Sequence, residues 1–303
     1  MAALDPRFEN RIPGLNRATL PADEVVCVNP DSHLETYLSL LKQCDAVLVI
    51  APETDGVLSG LTAHSEKAGK PLLCSSSSAA AIAGNKDICA RLFCDANLPT
   101  PTTRMAAFDT ATLIAQQVGF PLVIKPIDGV GSEGVIRVAS PSSLSGELPK
   151  IRQLTSHTEI LLQSYVRGIP ASVSLLGVNG RFCPLSLNHQ LMETAQHFQY
   201  LGSEVPFQHK TAGRAMELAC SAARLIPGLK GYVGVDLVLT DDSPQLIEIN
   251  PRLTTSYIAL RQVAQINLAR LIWQACIDGV LPESIPLAGS ATIKKDDIFP
   301  FIG

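Results

Sequence analysis

Apolar and polar residues alternate with period 2 in two neighbouring segments late in the chain, residues 231–239 and 246–252, which flank a polar, turn-forming stretch. This pattern predicts an antiparallel hairpin. Apolar residues occupy the odd-numbered strand positions, which puts Asp236, Glu248 and Asn250 together on the opposite face. With the turn centred on the polar stretch, Asp236 lies opposite Glu248 or one step diagonal to it.

These three polar side chains form a candidate metal site. Two carboxylates this close repel each other unless a cation or a proton lies between them. Oxygen ligands from one Asp, one Glu and one Asn suit Mg²⁺ better than Zn²⁺, since Mg²⁺ takes few protein ligands and leaves room for substrate phosphates. A solvated polar face on an edge hairpin is the alternative interpretation.

Another predicted hairpin lies upstream; in chain order it is the first hairpin, and the one at 231–252 is the second. An apolar strand at 120–126 contains Lys125 near its end and leads into a glycine-rich loop (residues 128–134) and a second strand at 135–138. The glycines let backbone N–H groups curl around an anion, and Lys125 adds a point charge, which predicts a phosphate-binding loop. The loop matches neither GxxxxGK[ST] nor a dinucleotide motif, because its glycines do not open a helix. An ordinary hairpin is the alternative.

The first part of the chain alternates short apolar strands with helical patterns, which predicts α/β folding around a parallel sheet. The strands are expected at 25–28, 46–51 and 71–74, and the helices near 32–43 and 56–69. Serines at 75–78 precede an alanine run, so that a capped helix is expected there, with Lys86 inside it or at its end. Further helices are predicted at 212–225 and 256–278.

Composition narrows the class of protein. The length of 303 residues suggests about two domains, and a net charge of −4 spread along the chain argues against nucleic acid as a partner. The apolar runs are shorter than the roughly 20 residues of a membrane span, and the start lacks a secretory signal pattern. Eight cysteines without CxxC or zinc spacing favour reduced thiols in a cytoplasmic protein.

The motifs described above occur in a fixed order: a lysine at a strand end, a glycine-rich hairpin, an aspartate and then Glu-x-Asn-x-Arg. This order is typical of the ATP-grasp superfamily, which the chain resembles from about residue 80 onward. The resemblance implies an α/β (α+β lobes) ATP-grasp fold. It implies an N-terminal Rossmann-like pre-ATP-grasp lobe at 1–79, a central lobe at 80–158 and a C-terminal lobe at 159–303. Because residues 5–8 have little strand character, we expect the first strand and helix to be missing, through a truncated start or true loss.

The resemblance also implies where ATP binds. ATP would lie between the central and C-terminal lobes, with Mg²⁺, or Mn²⁺ in its place, on Asp236, Glu248 and Asn250. Arg252 and Lys125 would be catalytic, stabilising the transferred phosphoryl group. The implied ATP-binding residues are Lys86, Lys125, Gly129, Gly131, Ser132, Gly134, Gln163, Tyr165 and Val166. Residues 167–174 lack the acidic residue that many relatives use on the ribose, so ribose recognition is unassigned.

Residues 248–257 are similar to the tyramine–glutamate ligases of methanofuran biosynthesis and their relatives in methylotrophic bacteria. This similarity implies a carboxylate–amine ligase that forms an amide through an acyl phosphate, in one-carbon cofactor biosynthesis. Its partners would be a small carboxylate, a small amine and, in a homodimer, a second copy. Arg261 and Asn188 are candidate substrate contacts, and His189 and His197 are weaker candidates for a base. A phosphotransferase and a non-catalytic nucleotide-binding protein are the alternatives.

Overall fold

The computed structural model describes residues 2–4, 24–27 and 30–298. Its strands form a two-stranded, a four-stranded and a six-stranded sheet among the described residues. The two-stranded sheet lies within the predicted lobe 1–79, and the six-stranded sheet lies within the predicted lobe 159–303. The four-stranded sheet takes its last strand from residues 159–164, beyond the predicted end of the central lobe at 158. The lobe boundaries stay predictions. No helix in these ranges is long and apolar enough to cross a membrane.

The first sheet pairs β1 (Ala2–Leu4) in parallel with β2 (Val25–Cys27). The strand at the start is not predicted by the sequence pattern, whereas β2 is. Residues 5–8, on which the expectation of a missing strand and helix depends, lie outside the described residues. Two helices follow where the pattern predicts them, α1 (His33–Leu41) and α2 (Val57–Lys67).

The strands predicted at 46–51 and 71–74 are wrong in extent. The described residues there form a single parallel bridge, between Val47 and Leu72. Pro71 has no N–H with which to extend a parallel ladder toward the chain start, so the pairing stops at this bridge. The first segment still alternates between buried and exposed side chains, so the pattern correctly indicated an extended backbone but not a partner strand.

Two capped helices lead into the central lobe. The hydroxyl of Ser76 caps α3 (Ser77–Gly84), as the serine run predicts. Asn85 caps α4 (Lys86–Asp95) by accepting two backbone N–H bonds of 3.1 Å. The second cap fixes Lys86 as the first residue of its helix.

The four-stranded sheet carries the first predicted hairpin. Its strands are β3 (Thr103–Ala107), β4 (Leu122–Lys125), β5 (Ile136–Val138) and β6 (Glu159–Ser164), in the order β3-β6-β4-β5. Helices α5 (Ala111–Val118) and α6 (Pro141–Arg152) pack on it in one apolar core. Every residue of β4 is buried, so Lys125 reaches the site from the interior of the sheet.

The six-stranded sheet carries the second hairpin, and all its neighbouring strands are antiparallel. Its strands are β7 (Ile169–Val178), β8 (Arg181–Glu193), β9 (Gln199–Val205), β10 (Gly231–Leu239), β11 (Pro244–Asn250) and β12 (Ala291–Lys294), in the order β11-β10-β7-β8-β9-β12. Two separate apolar clusters flank it. In one cluster α3 and α4 pack together with α7 (Ala212–Arg224). In the other, the packing helices are α8 (Ser256–Val263) and α9 (Leu268–Trp273).

The hairpin register confirms the predicted pairing. Asp236 lies opposite Glu248, and Gly234 opposite Asn250, with a bulge directly after Asp236. The bulge separates this polar end of the hairpin from the part that approaches the turn.

The single helix predicted at 256–278 is wrong. The backbone of Ala264 is extended, and Asn267 caps a new helix, α9, by accepting a backbone N–H at 3.1 Å. A π-helical turn, Gln274–Asp278, follows α9, and the short α10 (Lys295–Ile298) closes the described chain. The apolar stripe continues through the break, so that periodicity alone does not locate it.

Asn85→Ala is expected to lower the free energy of unfolding by about 1 kcal/mol, because two N–H groups at the start of α4 lose their acceptor. Urea unfolding measures this change. Ser32→Ala is the matched control, since Ser32 holds the corresponding position of α1 without a side-chain cap. Equal losses in the two variants would contradict a capping role for Asn85.

Candidate active site

A cleft of about 260 Å³ lies between the four-stranded and six-stranded sheets. Most of the predicted site residues line it, although they come from distant parts of the chain. They are Lys86, Lys125, Gly129, Gly131, Ser132, Gln163, Tyr165, Val166, Asp236, Glu248, Asn250 and Arg252. Gly134, Asn188 and Arg261 are not among the lining residues.

One part of the cleft has apolar walls. Val123, Leu237 and Ile247 line it together with residues 163–166, which include the end of β6 and the start of its connection to β7. Gln163 pairs with Val123 across β6 and β4, so this linker runs directly beside the apolar wall. Apolar surface next to backbone polar groups is the usual setting for a flat heteroaromatic ring, and it fits the adenine position that the sequence predicts.

Lys125 is held at the end of β4. Its side chain is buried, with the residue 3% exposed, and its Nζ donates to Gln163 Oε1 at 3.0 Å. Gln163 in turn donates to the hydroxyl of Thr103 at 2.8 Å, so that its amide is fixed. Burial lowers the pKa of Lys125 to about 8, while the charge of Glu248 acts in the opposite direction. The buried Lys125 ammonium has an uncharged hydrogen-bond partner in Gln163, so a bound phosphate would stabilise its charge.

Lys86 connects the glycine-rich loop to the carboxylates. Its Nζ donates to the carbonyl of Gly129 at 2.6 Å and lies 3.6 Å from Glu248 Oε2. The loop itself needs left-handed backbone at Gly131, Ser132 and Gly134, which have φ values of 64°, 68° and 69°. Lys86 thereby sets the distance between the loop and the second hairpin.

Gly134 has a structural part in the loop. A Cβ there would lie 3.1 Å from Pro126 Cδ, so a side chain would push the loop away from the strand that precedes it. Its φ is also positive. Gly134 does not line the cleft, and its contact with ATP stays a prediction.

Asp236 and Glu248 face each other as a close carboxylate pair. Burial raises the pKa of Asp236 to about 7, and the charge of Glu248 adds to this effect. Burial acts to raise the pKa of Glu248 too, but Lys86, Lys125 and Arg252 hold it below its usual value. Two facing carboxylates, one of them with a raised pKa, form an arrangement that a bound divalent cation would stabilise.

The donor set fits Mg²⁺. Asn250 Nδ2 donates to Asp236 Oδ2 at 3.2 Å, which leaves the amide oxygen of Asn250 available as a third hard ligand. Within the described ranges, no group of three or more His, Cys, Asp and Glu is arranged to bind a metal. Two carboxylates and one amide suit a cation that completes its coordination with phosphate oxygens and water.

Arg252 follows the hairpin and is held by the N-terminal lobe. Its Nε and Nη2 both lie 3.0 Å from Glu53 Oε2, and its Nη1 donates to the carbonyl of Leu253 at 3.1 Å. Glu53 is not predicted as a site residue from the sequence. It lies in an irregular loop with no motif around it.

Several polar residues that line the cleft were missed. They are Ser172 on β7, Gln190 on β8, Tyr200 on β9 and the run 254–256. Gln190 makes a side-chain hydrogen bond to Asp236. Serines alternate with apolar residues in β7, and this pattern could have indicated a polar strand face beneath the site.

The two candidate substrate contacts lie away from the cleft. Asn188 is fully buried, donates to Ser172 and Ser174 at 3.1 and 3.0 Å, and accepts from Ser186 at 2.6 Å. It supports the cleft wall from behind. Arg261 is exposed on α8.

The two histidines considered as bases are also outside the cleft lining. His189 Nδ1 lies 3.8 Å from Glu204 Oε2, and its ring stacks on Phe207. His197 Nε2 lies 3.9 Å from Glu147 Oε2. Both arrangements agree with structural roles.

Family models match two ranges of the chain. A model of the ATP-grasp domain matches residues 83–256, which is more than half of the chain. The chain belongs to the ATP-grasp family. A model of the pre-ATP-grasp 3 domain matches residues 2–80. These matches confirm the predicted fold class and the N-terminal lobe of this ATP-grasp protein.

Two relatives of this ATP-grasp chain are tyramine–L-glutamate ligases. The one from Methanocaldococcus jannaschii is 33% identical over 244 residues, which cover 78% of this chain and 66% of the relative. The one from Methanocaldococcus fervens is 32% identical over 252 residues, which cover 82% and 73%. The predicted resemblance is confirmed, and the chain spans about two thirds of the length of the first of these relatives.

A solved structure shares the fold. The biotin carboxylase domain of Hydrogenobacter thermophilus 2-oxoglutarate carboxylase superposes with a TM-score of 0.74 at 17% identity, covering 89% of this chain and 64% of that chain. That protein is a dimer in complex with MgADP, ADP and bicarbonate. At this identity the likeness concerns the fold alone.

Lys125→Met is expected to weaken Mg-ATP binding about 10- to 100-fold, because a buried hydrogen bond to a charged group contributes about 1.5–3 kcal/mol. Titration with a fluorescent ATP analogue measures the change. Lys67→Met, an exposed position on α2, is the matched control and should bind like the native protein. Unchanged affinity in Lys125→Met would rule out the assigned phosphate contact.

Proposed function

We propose that this protein is an ATP-dependent carboxylate–amine ligase that forms an amide through an acyl phosphate. The observation that carries the proposal is a single cleft lined by two lysines, a close carboxylate pair and an arginine. Lys86 and Lys125 would bind the nucleotide phosphates. Arg252 would stabilise the phosphoryl group during transfer and the acyl phosphate that results.

The chemistry follows from charge. A carboxylate does not react with an amine at neutral pH because oxide is a poor leaving group. Transfer of the γ-phosphoryl group of ATP to the carboxylate supplies a better one, and the amine then displaces phosphate. Phosphoryl transfer needs positioning and charge neutralisation more than covalent help from the protein, which agrees with a cleft rich in fixed cations.

Asp236, Glu248 and Asn250 would hold Mg²⁺, which supplies neutralisation of phosphate charge when bound. We expect Mn²⁺ to substitute, since it takes the same hard oxygen ligands.

The relatives support the substrate class. Both are ligases named for tyramine and L-glutamate, and they match most of this chain. We infer that glutamate is the acid and that tyramine or a related amine is the acceptor. A homodimer and a cytoplasmic location stay predictions.

Glu248→Gln should reduce phosphate release at least about 100-fold, because it removes one charge from the metal-binding pair. The assay supplies Mg-ATP, L-glutamate and a panel of amines that includes tyramine. Glu217→Gln, an exposed position on α7, is the matched control. In the native protein, release that requires both acid and amine is the expected result.

Other outcomes separate the alternatives. Formation of ADP without free phosphate would indicate a phosphotransferase. Binding of ATP without turnover across a broad panel of acids and amines would indicate a non-catalytic protein. Either result would contradict the ligase proposal.

Removal of divalent cations with EDTA is expected to abolish turnover. Added Mg²⁺ or Mn²⁺ should restore it, whereas Zn²⁺ should not, because the ligands are hard oxygens. Phosphate release measures the recovery. Full activity in EDTA would contradict the assigned metal site.

A further inference from the structure

Glu53 joins the N-terminal lobe to Arg252, which lies 199 residues later in the chain. The glutamate side chain is 5% exposed and the arginine side chain 19%. One carboxylate oxygen, Oε2, accepts the N–H of Nε at 3.0 Å, and Nη2 lies 3.0 Å from the same oxygen. The contact is a buried ion pair across two lobes.

Arg252 is the partner that accounts for the charge of Glu53. The second oxygen, Oε1, is buried and has no hydrogen-bond partner among the described residues. A buried carboxylate is costly unless a cation is paired with it. Arg252 in the cleft therefore accounts for a buried negative charge at Glu53, which the packing of the N-terminal lobe alone does not explain.

The pair orients the guanidinium. Glu53 Oε2 accepts the N–H of Nε and lies 3.0 Å from Nη2, and the carbonyl of Leu253 accepts an N–H from Nη1. A guanidinium has five N–H donors in a fixed plane. One N–H on each terminal nitrogen is thus left for a ligand in the cleft that Arg252 lines.

The surrounding loop is anchored at the same interface. Gly84 allows Glu53 to approach, since a Cβ there would lie 3.0 Å from Glu53 Cβ. The next residue, Thr54, donates to the carbonyl of Asp128 at 3.0 Å, and the backbone N–H of Asp55 donates to the Asp128 carboxylate at 2.8 Å. Residues 53–55 therefore contact both Arg252 and the start of the glycine-rich loop.

We propose that Glu53 is a positioning residue that fixes Arg252 for phosphoryl transfer, so that the N-terminal lobe completes the active site. This inference rests on the proposed function. Glu53 does not line the cleft, and it acts on the reaction through the arginine.

The test is the steady-state kinetics of Glu53→Gln with Mg-ATP, L-glutamate and tyramine. We expect kcat to fall about 100-fold, as for a small misplacement of a reacting or stabilising group, with KM for Mg-ATP unchanged. Ser75→Ala is the matched control. Ser75 is also buried between lobes and exchanges hydrogen bonds of 3.3 Å with the backbone of Lys230, away from Arg252. It should retain native kcat.

A double-mutant cycle with Arg252→Ala separates positioning from a purely structural role. Measured with enzyme in excess over ATP, Glu53→Gln should cause no further loss in the Arg252→Ala background. An equal loss in both backgrounds would overturn the inference. If Glu53→Gln does not fold by circular dichroism, Glu53→Asp replaces it, and its shorter reach should give a kcat between native and Arg252→Ala.

The outcomes distinguish this inference from the proposed function. A native protein that never consumes ATP with any acid and amine overturns the proposed function, and the positioning role with it. An active native protein with native kcat in Glu53→Gln, or in Glu53→Asp where that variant is used, overturns the positioning role alone.

Discussion

The forced approach of Asp236 and Glu248 is the constraint on which the rest of the site depends. The hairpin register places the two carboxylates opposite each other, next to a bulge. Burial raises the pKa of Asp236 to about 7, and the charge of Glu248 adds to this effect, so the pair is costly to keep fully ionised without compensation. Nearby cations reduce this cost, and Lys86, Lys125 and Arg252 lower the pKa of Glu248.

Those cations come from separate elements. Lys86 opens α4, Lys125 ends β4 in the four-stranded sheet, and Arg252 follows β11. Each is fixed by a second partner, namely Gly129, Gln163 or Glu53. The cleft therefore draws its cations from three parts of the fold, and all three line it together with the carboxylate pair.

The sequence predicts well what is local and poorly what is distant. Alternation over some twenty positions was enough to place Asp236 opposite Glu248 or one step diagonal to it, and the structure has them opposite. No local pattern reveals that Glu53 reaches Arg252, or that Gln190 bonds Asp236. The same limit explains the fold errors: alternation at 46–51 indicated an extended chain without specifying a partner, and the stripe at 256–278 concealed the cap at Asn267.

The geometry at Arg252 explains why an arginine suits this position. Its N–H groups must reach Glu53 on one side and the carbonyl of Leu253 on another, and still present donors to the cleft. A planar fork with five donors can do so without changing conformation. A lysine has three donors on one flexible nitrogen, which could not stay beside Glu53 and also face a ligand. The buried carboxylate of the N-terminal lobe and the planar cation thus form one functional unit, although they lie in different lobes.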